Sequence, residues 1–351
     1  MAESRVIWAY QQYEKRVNRN SKKRQYEEQR AERAAAKARK AAEDDGGRSG
    51  GLTGIVAAVQ RSRCLVAHGE SYVPCRIPVR ALAGSEGDPV VGDRVAFDWE
   101  SEGQGVVRRV LPRASRLVRM RVNRGARGWN HGRDAEEQVL AANVDVAVIV
   151  ASAAAPAFHP RLVDRYLVMC QYGEVAPVVC LNKCDLTETP PDLSTYERMG
   201  IPVVYCSAAT GQGLPELREQ LKGKYSVLTG HSGVGKSSLI NRLLGEEKLE
   251  VGEVSVATGK GRHTTTTSSL HRLDDNTYLI DTPGIRSLSL WAVERDSIRL
   301  YFPDFEQASL RCRFRDCLHL AEPDCGVKEA VERGEVAPER YDSYVRMMNE
   351  E

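Results

Sequence analysis

The segment 230–237 constrains the fold of this chain more than any other stretch. It reads G-H-S-G-V-G-K-S, which fits the phosphate-binding pattern G-x-x-x-x-G-K-[ST]. A short apolar strand pattern over 225–229 precedes it, and a helical repeat of apolar residues follows it and stops at Gly245. In that setting backbone N–H groups converge on phosphate oxygens at a helix N-terminus. The sequence therefore predicts a nucleotide-binding α/β fold.

The side chains of this loop have separate predicted roles. Lys236 is expected to reach the β- and γ-phosphates and is assigned to catalysis, and Ser237 is expected to ligate Mg²⁺. The residues predicted to contact the nucleotide in this segment are Gly230, His231, Ser232, Gly233, Val234, Gly235, Lys236, Ser237 and Ser238.

Two motifs upstream of the loop predict that the base is guanine. Asn182, Lys183 and Asp185 form N-K-x-D at the end of an apolar strand pattern. The carboxylate of Asp185 can accept both the N1–H and the exocyclic amine of guanine, whereas adenine would leave it unpaired. Asn182 can contact the opposite edge of the base, and the stem of Lys183 can cover its face. Ser207 and Ala208 follow the next strand, where a backbone N–H can bind guanine O6.

A third group of motifs lies downstream and predicts the γ-phosphate side of the site. Asp281 and Gly284 belong to D-T-P-G after a strand; Asp281 is expected to hold Mg²⁺ through water, and Gly284 to touch the γ-phosphate. The Gly- and Thr-rich segment 259–267 is a predicted switch loop with a second Mg²⁺ hydroxyl. We assign it to Thr265, with Thr264 as the alternative, and either could instead be a solvated loop threonine.

The residue that positions the attacking water is less obvious. Ile285 follows D-T-P-G where ordinary GTPases carry glutamine. His263 in the switch loop is the predicted catalytic replacement, although it could instead be structural or face RNA. Hydrolysis is therefore expected to be slow without a partner.

The order of the motifs is circularly permuted, because the guanine motifs precede the phosphate loop. Strand and helix patterns alternate over 139–290, which predicts a doubly wound parallel sheet. A permutation is tolerable where the ends of the sheet lie close together. It also makes the switch at 281–284 run directly into the C-terminal region, so loss of the γ-phosphate can be passed on by the chain itself.

Four metal-ligating residues cluster in the C-terminal region 291–351. Cys312, Cys317, His319 and Cys325 are spaced C-x4-C-x-H-x5-C. Three thiolates and one imidazole can close a tetrahedral Zn²⁺ site without an open position, which indicates a structural ion in a small helical domain. Redox cysteines or a chance cluster are the alternatives.

Three segments precede the nucleotide-binding region. Residues 1–49 form a basic, flexible tail without an apolar stripe, which is either solvated or contacts RNA. Residues 50–115 contain about five short strands separated by turn residues and predict an OB-type barrel, although an SH3-like barrel would give a similar pattern. Residues 116–138 form an Arg-rich linker that is either a connector or a polyanion contact.

Composition limits the class of protein. The chain has 351 residues, 42% of them apolar, and a formal net charge of +2, so it can form two or three domains and is not a polycation. The longest apolar run, 144–157, is interrupted and too short to cross a membrane, and we expect no signal peptide because no apolar core of that type lies in the N-terminal stretch. Nine cysteines in a chain of this size do not indicate an extracellular disulfide framework. We expect a soluble cytoplasmic protein without a membrane partner.

Together these motifs resemble the ribosome small subunit-dependent GTPase A family (RsgA/YjeQ-like), which are circularly permuted GTPases of late small-subunit assembly. The resemblance covers roughly residues 50–350. The matching segments are 182–185, 230–238, 261–265, 281–284 and the four metal ligands. It implies an OB barrel, a permuted G domain, a zinc domain that grips the nascent subunit, and GTP hydrolysis stimulated by that subunit. The tail 1–49 and the loop 119–133 look like additions to the family layout.

The function expected from the residues and the resemblance is that of a timer. The GTP-bound protein binds the small ribosomal subunit and its rRNA, and hydrolysis releases it as a monomer. The alternative is a nucleotide-gated rRNA-binding chaperone whose turnover is incidental. An ordinary signalling GTPase is disfavoured by the permuted order, the metal cluster and the basic segments.

Overall fold

The structure is a computed structural model that describes residues 51–60, 62–78, 87–122, 135–245, 268–281, 293 and 295–349. Several predicted features lie outside these residues. They are the tail 1–49, the middle of the Arg-rich interval, His263, Thr264, Thr265 and Gly284.

The first five strands form a closed barrel. They are β1 (Leu52–Gln60), β2 (Arg63–His68), β3 (Ser71–Arg76), β4 (Arg94–Ser101) and β5 (Gln104–Val110). β1 pairs antiparallel with both β2 and β4, and β3 pairs parallel with β5, so the order around the barrel is β1-β2-β3-β5-β4. Buried apolar side chains, among them Val66, Val95 and Phe97, fill its interior. The predicted OB-type barrel is confirmed.

A six-stranded sheet follows, with helices between its strands. The strands are β8 (Val146–Ser152), β9 (Ala176–Asn182), β10 (Val203–Tyr205), β11 (Tyr225–Thr229), β12 (Ser269–Asp274) and β13 (Thr277–Asp281). The helices are α1 (Pro160–Tyr172), α2 (Ser194–Arg198), α3 (Leu214–Leu221) and α4 (Lys236–Leu244). The order is β10-β9-β8-β11-β13-β12, and every neighbouring pair is parallel except β12–β13.

Both faces of this sheet are covered. In β8, Ile149 belongs to one apolar cluster, whereas Val148 and Val150 belong to another on the opposite face. A strand that is buried on both faces reads as a continuous apolar run, as 146–151 does. The predicted doubly wound α/β domain is confirmed.

The interval 116–138, interpreted from sequence as a linker, contains paired strands. β6 (Arg116–Val122) and β7 (Ala135–Ala142) form an antiparallel ribbon. Its base packs on the α/β domain, because Leu117 and Ala141 are buried and the Arg116 N–H donates to Gly173 O at 3.0 Å. The ribbon therefore extends from a fixed base.

The barrel is attached to the α/β domain by hydrogen bonds. Asn143 donates its side-chain amide to Gly92 O at 2.9 Å, and the Ala142 N–H donates to Val91 O at 3.0 Å. Ala58 of β1 is also paired with Ser269 of β12, so the barrel continues the sheet beyond its β12 edge.

The C-terminal region is helical. A 3₁₀ segment (Arg295–Tyr301) is followed by α5 (Glu306–Ser309), α6 (Gly326–Glu332) and α7 (Pro338–Asn349). Phe302, Phe305 and Tyr344 are fully buried and pack ring against ring with centroids about 5 Å apart. Among the described residues, no helix has both the length and the apolar character that a membrane span requires.

Candidate functional site

The phosphate loop has the backbone that the motif requires. It links β11 to α4, and three of its glycines have positive φ. Gly230 lies at φ +137°, and a Cβ there would come within 2.2 Å of Val150 O. A Cβ on Gly235 would come within 2.3 Å of the Asn182 amide. Only glycine allows these close approaches, and the loop is thereby pressed against the ends of β8 and β9.

Lys236 begins α4 and folds back over the loop. Its ammonium donates to Gly230 O at 2.7 Å and to His231 O at 2.6 Å. These carbonyls hold the charge at the mouth of the loop, close to where the helix N-terminus favours phosphate. Ser237 and Ser238 follow in the first turn and are exposed.

Asn182 connects the guanine motifs to the phosphate loop. Its buried amide donates to Val234 O at 2.9 Å and accepts the Ala208 N–H at 3.0 Å. Lys183 reinforces the connection, because its ammonium donates to Gly233 O at 2.6 Å and also to Ala155 O. Asn182 thus links the guanine motifs to the phosphate loop, and its predicted contact with the edge of the base stays a prediction.

Asp185 is exposed at the edge of the sheet, whereas Ala208 is buried and its N–H donates to Asn182, so the contact of both with a base stays a prediction. Asp185 lies exposed in a 3₁₀ turn (Cys184–Leu186), and Ala208 follows β10 at the same edge of the sheet. Ser207 is buried and its Oγ accepts the Thr210 N–H at 3.1 Å, which shapes the turn. The carboxyl ends of parallel strands meet at this edge, where such folds bind ligands.

Sequence reasoning missed Arg242 on α4. Its guanidinium donates to Ala208 O at 2.9 Å and to Ala209 O at 2.7 Å. Arg242 therefore ties the helix after the phosphate loop to the predicted base-binding turn. No motif signals this contact, since the residues are 34 positions apart.

Asp281 ends β13 beside β11, the strand that leads into the phosphate loop. The structure thus brings the described parts of the three predicted motifs to one edge of the sheet. His263, Thr265 and Gly284 lie outside the described residues, so their placement stays a prediction.

The four predicted metal ligands converge in the C-terminal region. The ligand atoms of Cys312, Cys317, His319 and Cys325 all lie within 4.8 Å of one another. His319 Nδ1 is 3.5 Å from both the Cys312 and the Cys325 Sγ, and those two Sγ atoms are 3.9 Å apart. These separations suit one small ion with tetrahedral S₃N coordination.

The protonation of this cluster also fits a cation. Burial lowers the pKa of His319 to about 4, and Arg299 adds to the effect, so the imidazole is a neutral ligand near pH 7. Burial raises the pKa of Cys317 to about 12 and also raises that of Cys312. A bound cation would displace the protons of these thiols, and the Cys₃His ligand set is one that Zn²⁺ prefers.

Neighbouring groups hold the backbone of the cluster. Arg299 donates to Cys317 O at 2.8 Å, and Tyr341 donates to His319 O at 2.8 Å. The Glu322 carboxylate accepts the N–H groups of Leu318 and Leu320, on either side of His319. Such contacts orient ligands before an ion binds.

Zinc removal is expected to unfold the C-terminal region. Structural zinc contributes about 10–16 kcal/mol in small zinc domains, far more than a few short helices can supply otherwise. Purified protein should contain about one zinc ion per chain. Cys317→Ala should lose that ion and the hydrogen-exchange protection of α6. The matched control is Cys170→Ala, a buried cysteine of α1 outside the cluster, which should keep both. Retained zinc in Cys317→Ala would contradict the site.

Comparisons with known proteins agree with this geometry. Residues 110–291 match the family model described as RsgA GTPase. The chain is 40% identical over 308 residues to the "Small ribosomal subunit biogenesis GTPase RsgA" of Chlorobaculum tepidum, covering 85% of this chain and 97% of that protein. It is 42% identical over 261 residues to the protein of the same name from Pseudomonas putida, covering 73% of each.

Two solved structures are similar as well. The crystal structure of YjeQ from Thermotoga maritima superposes with a TM-score of 0.63 at 32% identity, over 85% of this chain and 97% of that one. The crystal structure of YloQ, described as a circularly permuted GTPase, has a TM-score of 0.63 at 28% identity, over 86% and 96%. With the phosphate loop, the preceding guanine motifs and the Cys₃His cluster in place, the chain belongs to the RsgA family of circularly permuted GTPases.

Proposed function

We propose that this protein binds the small ribosomal subunit and couples subunit-stimulated GTP hydrolysis to a late step of subunit assembly and to its own release. The main observation behind the proposal is that one chain combines a phosphate loop preceded by guanine motifs with a C-terminal domain that holds a Cys₃His cluster. The names of the relatives, which are small ribosomal subunit biogenesis GTPases, support it.

The nucleotide site has an assigned role for each group. Asp185 selects guanine, and the Ser207–Ala208 turn contacts its O6. Backbone N–H groups of the phosphate loop and Lys236 neutralise the phosphates. Ser237, Thr265 and Asp281 would hold Mg²⁺, with Asp281 acting through water, and the ion would supply positive charge at the phosphates. Gly284 contacts the γ-phosphate and reports its loss to the C-terminal region.

In this proposal, fast hydrolysis requires the bound small subunit, which places a catalytic side chain beside the γ-phosphate. Glutamine is missing after D-T-P-G, where Ile285 stands, so intrinsic turnover is slow. His263 positions the attacking water when the subunit is bound. The barrel and the zinc domain contact rRNA, and the protein acts as a monomer in the cytoplasm.

GTP turnover with and without ribosomal particles tests the proposal. The purified protein is assayed alone and with small subunits, large subunits or bare RNA. Strong stimulation by small subunits alone is the expected result. Equal slow rates in every assay would contradict it and favour a nucleotide-gated rRNA-binding chaperone with incidental turnover.

His263→Ala is expected to reduce subunit-stimulated turnover by about 100-fold, the usual contribution of one positioned acid–base group. Intrinsic turnover and GTP affinity should change little. His263→Gln is the matched variant, because an amide can also position water, and it should keep more activity than alanine. Full stimulated turnover in His263→Ala would remove the residue from the mechanism.

A further inference from the structure

Helix α1 contacts the C-terminal domain through a buried ion-pair network. Arg340 of α7 lies 2.7 Å from Asp164 of α1 and 2.8 Å from Asp304. The side chains of Arg340 and Asp164 are 3% and 0% exposed. Tyr196 of α2 also donates to Asp164, at 3.1 Å. The α/β domain and the C-terminal domain therefore meet through charged side chains that are shielded from water.

The network is sensitive to small displacements. Burial raises the pKa of Asp164, and the contacts with Arg340 and Tyr196 oppose that effect, so the carboxylate depends on these close partners to stay charged. Arg340 also stacks over the Phe302 ring at 4.4 Å, which fixes its plane. A buried ion pair is favourable only while its geometry is excellent. A shift of α7 is thus expected to move α1 with it.

The same helix contacts the phosphate loop on its other side. Tyr166 hydrogen-bonds the side chain of Thr229, the residue directly before Gly230. Tyr166 also lines a cavity of about 30 Å³ together with His231 and Val234 of the loop.

The segment before α1 is attached to the loop as well. Lys183 of the guanine motif donates to Ala155 O, between β8 and α1, and to Gly233 O of the loop. Asp164 and Tyr166 are two residues apart on one helix, so the contacts with α7 and with Thr229 belong to one rigid element.

We propose that α1 couples the C-terminal domain to the phosphate loop, with Asp164, Arg340 and Tyr166 as positioning residues for subunit-stimulated hydrolysis. The inference rests on the proposed function. When the subunit displaces the C-terminal domain, the Arg340–Asp164 pair moves α1, and the Tyr166–Thr229 contact resets the loop that holds the phosphates. Coupling is reciprocal, so nucleotide binding alters the stability of α7.

Asp164→Asn and Tyr166→Phe test the inference. Asp164→Asn removes one charge and leaves Arg340 paired with Asp304, and Tyr166→Phe removes one hydroxyl. Both should lower subunit-stimulated kcat about tenfold, within the usual range of coupling between sites, and leave the half-saturating subunit concentration unchanged. The double variant should lose no more than the worse single one, because both act along one route. The matched control is Asp342→Asn, in the exposed Arg161–Asp342 pair of the same two helices, which should behave as wild type.

Hydrogen exchange gives a readout that needs no ribosome. Protection of α7 should differ between the GDP-bound and GTP-analogue-bound wild type, and Asp164→Asn should abolish that difference. If Asp164→Asn lowers the melting temperature, Arg340→Lys, which keeps the buried cation, is measured in its place.

Three results would overturn the inference. One is multiplicative loss in the double variant, and another is a raised half-saturating subunit concentration with normal kcat, which would mean that the network only holds the domains together. The third is α7 protection that ignores the nucleotide in wild type. Failure of small subunits to stimulate the wild type would instead contradict the proposed function, and the exchange measurement would still decide the coupling.

Discussion

Asp185→Asn is expected to lower GTP affinity by about a thousandfold or more and to give the protein a new preference for xanthosine triphosphate. The carboxylate accepts two adjacent donors of guanine, and the amide cannot accept both. A site built to hydrogen-bond a ligand group rejects ligands without it by about 10⁴–10⁵. Xanthine carries a carbonyl in place of the exocyclic amine, so it suits the NH₂ of asparagine. Competition of both triphosphates against a fluorescent analogue measures the switch.

The matched control for this prediction is Glu188→Gln. Glu188 is exposed three residues further along the same loop, and its substitution removes the same charge without touching the base. It should leave both affinities unchanged. Undiminished GTP affinity in Asp185→Asn would mean that the N-K-x-D motif does not read guanine in this chain. Equal weakening of both nucleotides would mean that Asp185 only supports the loop.

Much of the fold can be predicted from local patterns. The sequence predicts about five barrel strands and the structure has five in that region, because turn residues separate the apolar segments directly. Helix α3 (Leu214–Leu221) has local signals at its start, where Pro215 lies in the first turn and a glycine precedes it. These elements are determined by neighbours in sequence.

The contacts between elements could not be predicted in the same way. Asn182, Arg242 and Arg340 each bind groups 26 or more positions away, and a single sequence carries no signal of such distances. The β6–β7 ribbon was missed because arginines dilute its apolar residues, although Leu117 and Val118 are buried. At these positions tertiary packing, and not local composition, determines the structure.

The permutation explains where these long-range contacts concentrate. In this chain the strand that ends at Asp281 leads into the C-terminal region, whereas the guanine motifs lie upstream of the phosphate loop. Asn182 and Lys183 hold the two halves of the site together across the sheet, and Arg242 does so from α4. The side chains of Asn182, Lys183 and Arg242 thus connect the guanine motifs to the phosphate loop and its helix, which come later in the permuted chain.

Lys236→Ala is expected to lower subunit-stimulated GTP turnover by about a thousandfold, since removing one preorganised group at the reacting centre costs about 10²–10³ and here a full charge is lost. In the structure the ammonium is held by two loop carbonyls, Gly230 O and His231 O, so it is already at the mouth of the loop. Single-turnover hydrolysis with saturating small subunits measures the effect. It separates chemistry from nucleotide binding, which should weaken much less.

The control for Lys236→Ala is Lys222→Ala, an exposed lysine after α3 whose ammonium lies 3.6 Å from Glu219. The Lys222→Ala variant loses the same single positive charge outside the site, and it should turn over GTP normally. The two variants together decide what the loop does. If both hydrolyse GTP normally on small subunits, 230–237 does not bind the reacting phosphates. If only Lys236→Ala fails while it still binds GTP, the lysine acts on the transition state, because equal loss of binding and turnover would instead indicate ground-state affinity.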